Sequence, residues 1–178
     1  MSRDGTAFVT WIQNGTVWIN RHRPAEGWSG ALPNDEPVQS YDLLALAPDA
    51  TGGALVAWTK QGTATSSAQA AHYDGASRRW EVPWRVDDAS AGFVDQLGVF
   101  GGHGEDFIVG ILTDDLRAQT RRITTRRVAV PIVFHNAVTR DLATDSPGGL
   151  AFALDSAARG VVAWTHSRTA TSLPVQTR

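Results

Sequence analysis

The stretch Gly52–Lys60, GGALVAWTK, returns near the C-terminus as Arg159–Ser167, RGVVAWTHS. Each copy follows an Ala-x-Asp, and Asp49 and Asp155 each stand nine residues ahead of the tryptophan. Two fainter copies share the register. GTAFVTWIQ (Gly5–Gln13) sets Gly5, Ala7, Val9 and Trp11 against Gly52, Ala54, Val56 and Trp58, and EDFIVGILT (Glu105–Thr113) places Ile111 at the tryptophan position. Positions 11, 58, 111 and 164 therefore recur at intervals of 47, 53 and 53 residues. A unit of this length cannot bury an apolar face alone, so stacking of successive units is the physical reading of such a period.

The segments inside each period read as strands. TAFVTWIQ, TVWINRH, ALVAWTK, SAQAAHYD, DFIVGILT, AQTRRIT and GVVAWTH are short and rich in β-branched or aromatic residues. QNGT, PDATGG, DGAS, GGHGED and DSPGG punctuate them with turn chemistry. The nearest helical candidate, Asp114–Arg122, fits a strand and turn better. Within a repeat, the order is a first strand ending in an Asp/Gly turn, the V-A-W strand, a third strand, and a fourth that opens with Trp28 or Trp80. A repeat near 50 residues built from four short strands predicts an all-β, β-propeller-like chain of antiparallel four-stranded blades. About three and a half repeats are present, at approximately 1–40, 41–90, 91–140 and 141–178. A β-sandwich is the structural alternative, but it does not account for a 53-residue period. The first repeat lacks its first strand and the last lacks its closing tryptophan strand. The expectation is a partial propeller, one closed by oligomerisation, or part of a larger chain or assembly.

Over APDATGGALVAWTK…AAHYDGASRRWEVPWRVDD, Ala47–Asp88, the chain resembles the repeats of bacterial sialidase-like β-propeller proteins. Those repeats carry an acidic-Gly turn, a small apolar strand ending in Trp, then Gly-Trp and a proline-containing tail. The likeness is partial over Asp4–Pro33 and Ala151–Thr165. It implies a propeller fold and, as one possibility, a glycoside hydrolase of sialidase type or a piece of one. The strict S-x-D-x-G-x-T-W box and an F/Y-R-I-P segment do not occur, which turns the expectation away from catalysis.

Composition narrows the chemistry. Net charge is −2, which predicts no dominant polyanionic partner, and nucleic acid is not expected. There is no cysteine, so disulfides, thiolate metal sites and thiol nucleophiles are excluded. The segment MSRDGTAFVTW does not read as a signal peptide, and no apolar run approaches membrane-spanning length. A soluble chain is expected, extracellular if a targeting segment has been removed; the compartment stays unassigned. No cofactor is expected.

Seven tryptophans are the most promising recognition chemistry. Trp11, Trp58 and Trp164, with Ile111, occupy the recurring position and are expected to fill inter-blade gaps, each ring burying about 150–250 Å2. Trp28 and Trp80 are a second equivalent pair, again expected to pack. Trp18 and Trp84 have no repeat partners and are the candidates for exposed stacking surfaces against a glycan or protein. The run RAQTRRITTRR brings Arg117, Arg121, Arg122, Arg126 and Arg127 as a possible anion-recognition strand, against the plainer reading of a charged outer strand. His103, Glu105 and Asp106 in GGHGED are weak candidates for a divalent cation, although their spacing matches no metal motif. These features together predict a non-catalytic recognition module that binds glycan or protein through propeller-face loops, most simply as a homo-oligomer.

Overall fold

The computed structural model describes residues 4–38, 42–63, 65–87, 92–101, 106–115, 120–130, 133–134, 138–142, 147–154 and 160–166. These form four antiparallel sheets, each drawn from one continuous stretch of chain. The first holds β1 (Ala7–Gln13), β2 (Thr16–Arg23), β3 (Gly27–Trp28) and β4 (Leu32–Pro37). In the second are β5 (Leu44–Pro48), β6 (Ala54–Gln61), β7 (Ser66–Asp74), β8 (Arg79–Trp80) and β9 (Trp84–Arg85). The third contains β10 (Phe93–Gly101), β11 (Asp106–Asp115), β12 (Thr120–Ala129), β13 (Val133–Phe134) and β14 (Val138–Leu142). The fourth pairs β15 (Pro147–Leu154) with β16 (Gly160–His166). No helix occurs among the described residues. Asp114 and Asp115 end β11 and Thr120 opens β12, so the ends of the helical candidate are strand.

The recurring motif sets the same place in every sheet. β1, β6, β11 and β16 carry Trp11, Trp58, Ile111 and Trp164, and β2, β7 and β12 pair with the first three as the next strand. The expected fourth strand is broken. After a turn, β3 and β8 take up two residues each, and β4 and β9 resume pairing further along. Pro33 and Pro83 lie in these stretches. Proline cannot donate to a ladder, which confines it to interrupted or edge strands. The tightest hairpin is legible from sequence: Gln13 pairs with Thr16 across Asn14-Gly15, and both turn residues have positive φ, 52° and 71°. Asn-Gly supplies that geometry at little steric cost.

The second sheet is packed on both faces. From β6, Ala54, Val56 and Trp58 join Ala71 and Tyr73 of β7 against Val17 and Ile19 of the first sheet. The alternate residues, Leu55, Ala57, Ala68 and Ala70, meet Val99, Phe107, Val109 and Ile111 of the third. Side chains alternate along a strand, so burial of both faces requires the unbroken apolar run ALVAW that β6 shows. Two arginines tie the first and second sheets where apolar contact ends. Arg21 Nη1 donates to the carbonyls of Gly52 and Gly75, and Arg78 Nη2 donates to that of Ser29. The threonine of V-A-W-T has its own task. Thr59 is fully buried; its Oγ1 accepts from Leu43 N at 2.8 Å and donates to Asp42 Oδ1 at 3.3 Å, locking the start of β5.

Candidate interaction surface

The most polar cluster in the interior lies under the Asp49 turn. Asp49 Oδ1 accepts from the backbone N–H groups of Thr51 and Gly53 at 2.8 and 2.7 Å, and from Thr51 Oγ1 at 3.0 Å. Its other oxygen meets His72 Nε2 at 2.9 Å, and His72 Nδ1 meets Glu81 Oε1 at 3.3 Å. Burial pushes the Asp49 carboxyl up, but the contacts from His72, Gly53 and Thr51 outweigh it and hold the group below the usual carboxylate value. Burial likewise disfavours the His72 imidazolium, yet the two flanking carboxylates outweigh it and raise its pKa. Both ring nitrogens are occupied by carboxylates and the residue is 4% exposed, leaving no nitrogen turned toward a substrate. The arrangement staples the β5–β6 turn to β7 and to the segment before β9. Sequence reading singled out Asp49 as a repeat marker and missed this use of His72.

The open aromatic surface is the outer face of the first sheet. Trp11 and Trp18 are cross-strand partners whose rings stack at 6.2 Å and 12°. Their indole N–H groups both turn to Gln13, one to its side chain at 3.2 Å and one to its carbonyl at 3.3 Å. One pair further along, His22 faces Trp28, ring edge to ring face at 5.1 Å. Cross-strand partners share a face, so Val9, Trp11, Trp18, His22 and Trp28 form one surface, opposite the buried Val17 and Ile19. Val9 is 43% and Trp28 56% exposed, the largest apolar exposures here apart from Val82.

This surface has counterparts that are buried. Pairing fixes the equivalences: Ala7–His22 matches Ala54–Tyr73 and Phe107–Val128, and Val9–Asn20 matches Val56–Ala71 and Val109–Arg126. Trp28 then corresponds to Trp80, which pairs with Tyr73 and meets its ring edge-on at 5.7 Å, and to Phe134, which pairs with Val128. Val56 and Val109 are fully buried against the preceding sheet, as are Trp58 and Ile111. The equivalence of Phe134 escaped a reading that followed tryptophan alone. An aromatic 23 residues beyond Ile111, beside the 22 between Trp58 and Trp80, was the available signal.

The remaining expected site residues divide as follows. Trp58 and Ile111 fill gaps between sheets, as their position requires. Trp11 is half-buried on the open face instead, and Trp28 is exposed, because no described sheet covers that side. Trp18 keeps company with Trp11. Trp84, paired with Ala70 where β9 joins β7, is half-buried against both core clusters, so it packs rather than standing open. Trp80 packs on the core beside Tyr73. Trp164 pairs with Leu150 in the backbone register of the fourth sheet.

The arginine run does not gather into one cationic cluster. Strand alternation on β12 sends Arg121 and Arg127 to one face and Arg122 and Arg126 to the other. Arg121 pairs with Asp114 at 3.2 Å and Asp95 at 3.7 Å, and Arg127 with Asp106 at 2.6 Å. Arg117, His103 and Glu105 lie outside the described residues, and Asp106 is engaged by Arg127. Among the described residues no group of three or more His, Asp or Glu side chains is placed to hold a metal ion. No described helix is long and apolar enough to cross a membrane. No family model matches the chain, and no curated protein matches it.

Proposed function

We propose that the chain is a non-catalytic recognition module of propeller type, whose successive sheets are blades and whose binding surface is the aromatic face of the first sheet. The observation that carries this reading is the Val9–Trp11–Trp18–Trp28 surface: apolar, aromatic and open, on a sheet whose other face is firmly packed. Contiguous exposed apolar surface of this kind marks interaction sites. Indole rings offer large rigid contact at low entropic cost, against either the apolar face of a sugar or an apolar protein surface. The reading moves recognition from loops to a sheet face. Arg121 and Arg127 are engaged by acid partners, which speaks against anion capture by this strand.

The test is direct. Binding of the wild type to a glycan array and to itself is compared with that of Trp18→Ala and Trp28→Ala. A loss of tenfold or more in whichever binding the wild type shows is expected. Unchanged binding in both variants sinks the proposal. The hydrolase alternative is tested in parallel on aryl glycosides, including an aryl sialoside, where turnover by the pure chain would displace the non-catalytic reading.

A further inference from the structure

We propose that the seam between the first and second sheets binds an oxyanion, a sulfate or phosphate group, with Arg21 at its floor and Arg23 and Arg78 at its rim. The site lies on the inner face of β2, so it stands or falls independently of the aromatic surface.

The argument begins on β2. Val17, Ile19, Arg21 and Arg23 alternate onto one face of the strand. The first two pack on Ala54, Val56 and Trp58. The last two reach past that apolar contact to the turns of the second sheet. Arg21 Nη1 donates to the carbonyls of Gly52 and Gly75. Arg23 Nη2 lies beside Gly52, where an added Cβ would stand 3.6 Å from it. From the other side, Arg78 Nη2 donates to the carbonyl of Ser29, whose own N–H donates to Arg21 O at 2.9 Å. Three guanidinium groups thus meet around one pair of turns.

Their charge is not balanced. Arg21 is 4% exposed. Both its contacts run from Nη1 to neutral carbonyls, and its Nε is buried with no partner among the described residues. A buried cation is ordinarily matched by a carboxylate. The neighbouring acids are committed elsewhere: Asp49 to His72, Thr51 and Gly53, and Asp74 to the Ala76 N–H and the Ser77 hydroxyl. Glu26 pairs with Arg23 at 3.1 Å, but at the solvent edge, where such a pair is weak enough for an incoming anion to replace.

The other sheets show what the fold itself requires at this place. Pairing register makes His72 and Arg127 the counterparts of Arg21, and Asp74 and Ala129 those of Arg23. His72 is held by Asp49 and Glu81, and Arg127 by Asp106. Both counterparts carry their own acid, and neither has a second cation two residues on. The first sheet departs on both counts. Arg78 departs in a third way: it holds φ at 56°, a left-handed value that a long side chain adopts at a cost and glycine adopts freely. Packing of the sheets requires none of the three. An oxyanion accounts for them together, because it supplies the negative charge that Arg21 lacks and its several oxygens accept from guanidinium forks arriving from both sheets.

The experiment uses the full chain, isotopically labelled and titrated with inorganic sulfate, inorganic phosphate, glucose 6-sulfate and glucose 6-phosphate. Sulfate also stabilises proteins by exclusion from their surfaces, so the readout is local. The amide resonances of Ser29, Gly52 and Gly75 are expected to shift together and saturate with a dissociation constant of about 1 mM or tighter. Equal affinity for free ions and esters would support the site with the tetrahedral group as the whole ligand; tighter esters would support it with a sugar as the carrier. Arg23→Gln and Arg78→Gly leave the buried Arg21 in place, and glycine suits the backbone at 78. Each is expected to weaken binding about tenfold. Sodium chloride at matched ionic strength is expected to leave the three resonances unmoved. Absence of a saturable shift with all four compounds overturns the site, as does binding that both variants retain. Equal shifts in chloride overturn it too.

Discussion

His72, held between the buried Asp49 and the partly exposed Glu81, couples one ring to two carboxylates. Its raised pKa stabilises the fold fully below the ordinary histidine value of about 6.5, and that contribution is lost as pH rises through the higher folded value. Asp49 behaves oppositely: with its pKa lowered, its contribution is present above the ordinary 3.8 and is lost as pH falls through the folded value. Thermal denaturation across pH is therefore expected to show an alkaline decline beginning near 6.5 that His72→Gln abolishes. A decline that persists in the variant would remove His72 as its source. His72→Ala leaves Asp49 buried without its charge partner and is expected to cost about 3 kcal/mol in chemical denaturation. At the same scale, Gly75 has no room for a side chain. A Cβ there would overlap the Gly52 carbonyl oxygen and crowd Arg21, so Gly75→Ala is expected to cost more than about 2 kcal/mol.

Strand β6 buries six consecutive residues, Ala54 to Thr59, and its two faces serve different neighbours. Trp58→Ala is expected to cost about 3–5 kcal/mol through the cavity it leaves. Trp58→Phe is expected to cost clearly less. It keeps a ring in the gap and removes an indole N–H that has no acceptor among the described residues. Ile111, which fills the equivalent place in the third sheet, shows that the position asks for apolar volume rather than indole chemistry. Urea denaturation of the two variants decides this: equal losses would mean that the indole makes a contact that phenyl cannot replace. On β12, by contrast, Arg127→Ala is expected to change stability by no more than about 1 kcal/mol, since its pair with Asp106 is largely solvent-exposed.

Across the molecule, stability should follow the number of covered faces. The second sheet has neighbours on both sides, whereas the first shows one face to solvent and ends in the interrupted β3 and β4. Hydrogen exchange is expected to be slowest at the amides of Leu55–Thr59 and fast in Gly27–Trp28. Uniform protection across both sheets would contradict packing on two faces as the source of that order.

Much of this organisation was legible in the residues themselves. The 53-residue interval, the Asn14-Gly15 turn and the strands around Trp11, Trp58 and Ile111 follow from local chemistry: spacing, turn residues with positive φ, and β-branched runs. The tertiary structure decided what depends on neighbours. Trp58 and Trp11 occupy one repeat position, yet one is sealed and the other open, because burial belongs to the sheet opposite and not to the residue. Arg121 and Arg127 looked like a cationic run until strand alternation split it and Asp114, Asp95 and Asp106 met two of its members. His72 was one dispersed histidine among five until folding set Asp49, 23 positions away, against its ring. Periodicity is written along the chain. Partners across sheets are not, because loop lengths vary between repeats and alternate residues face opposite ways.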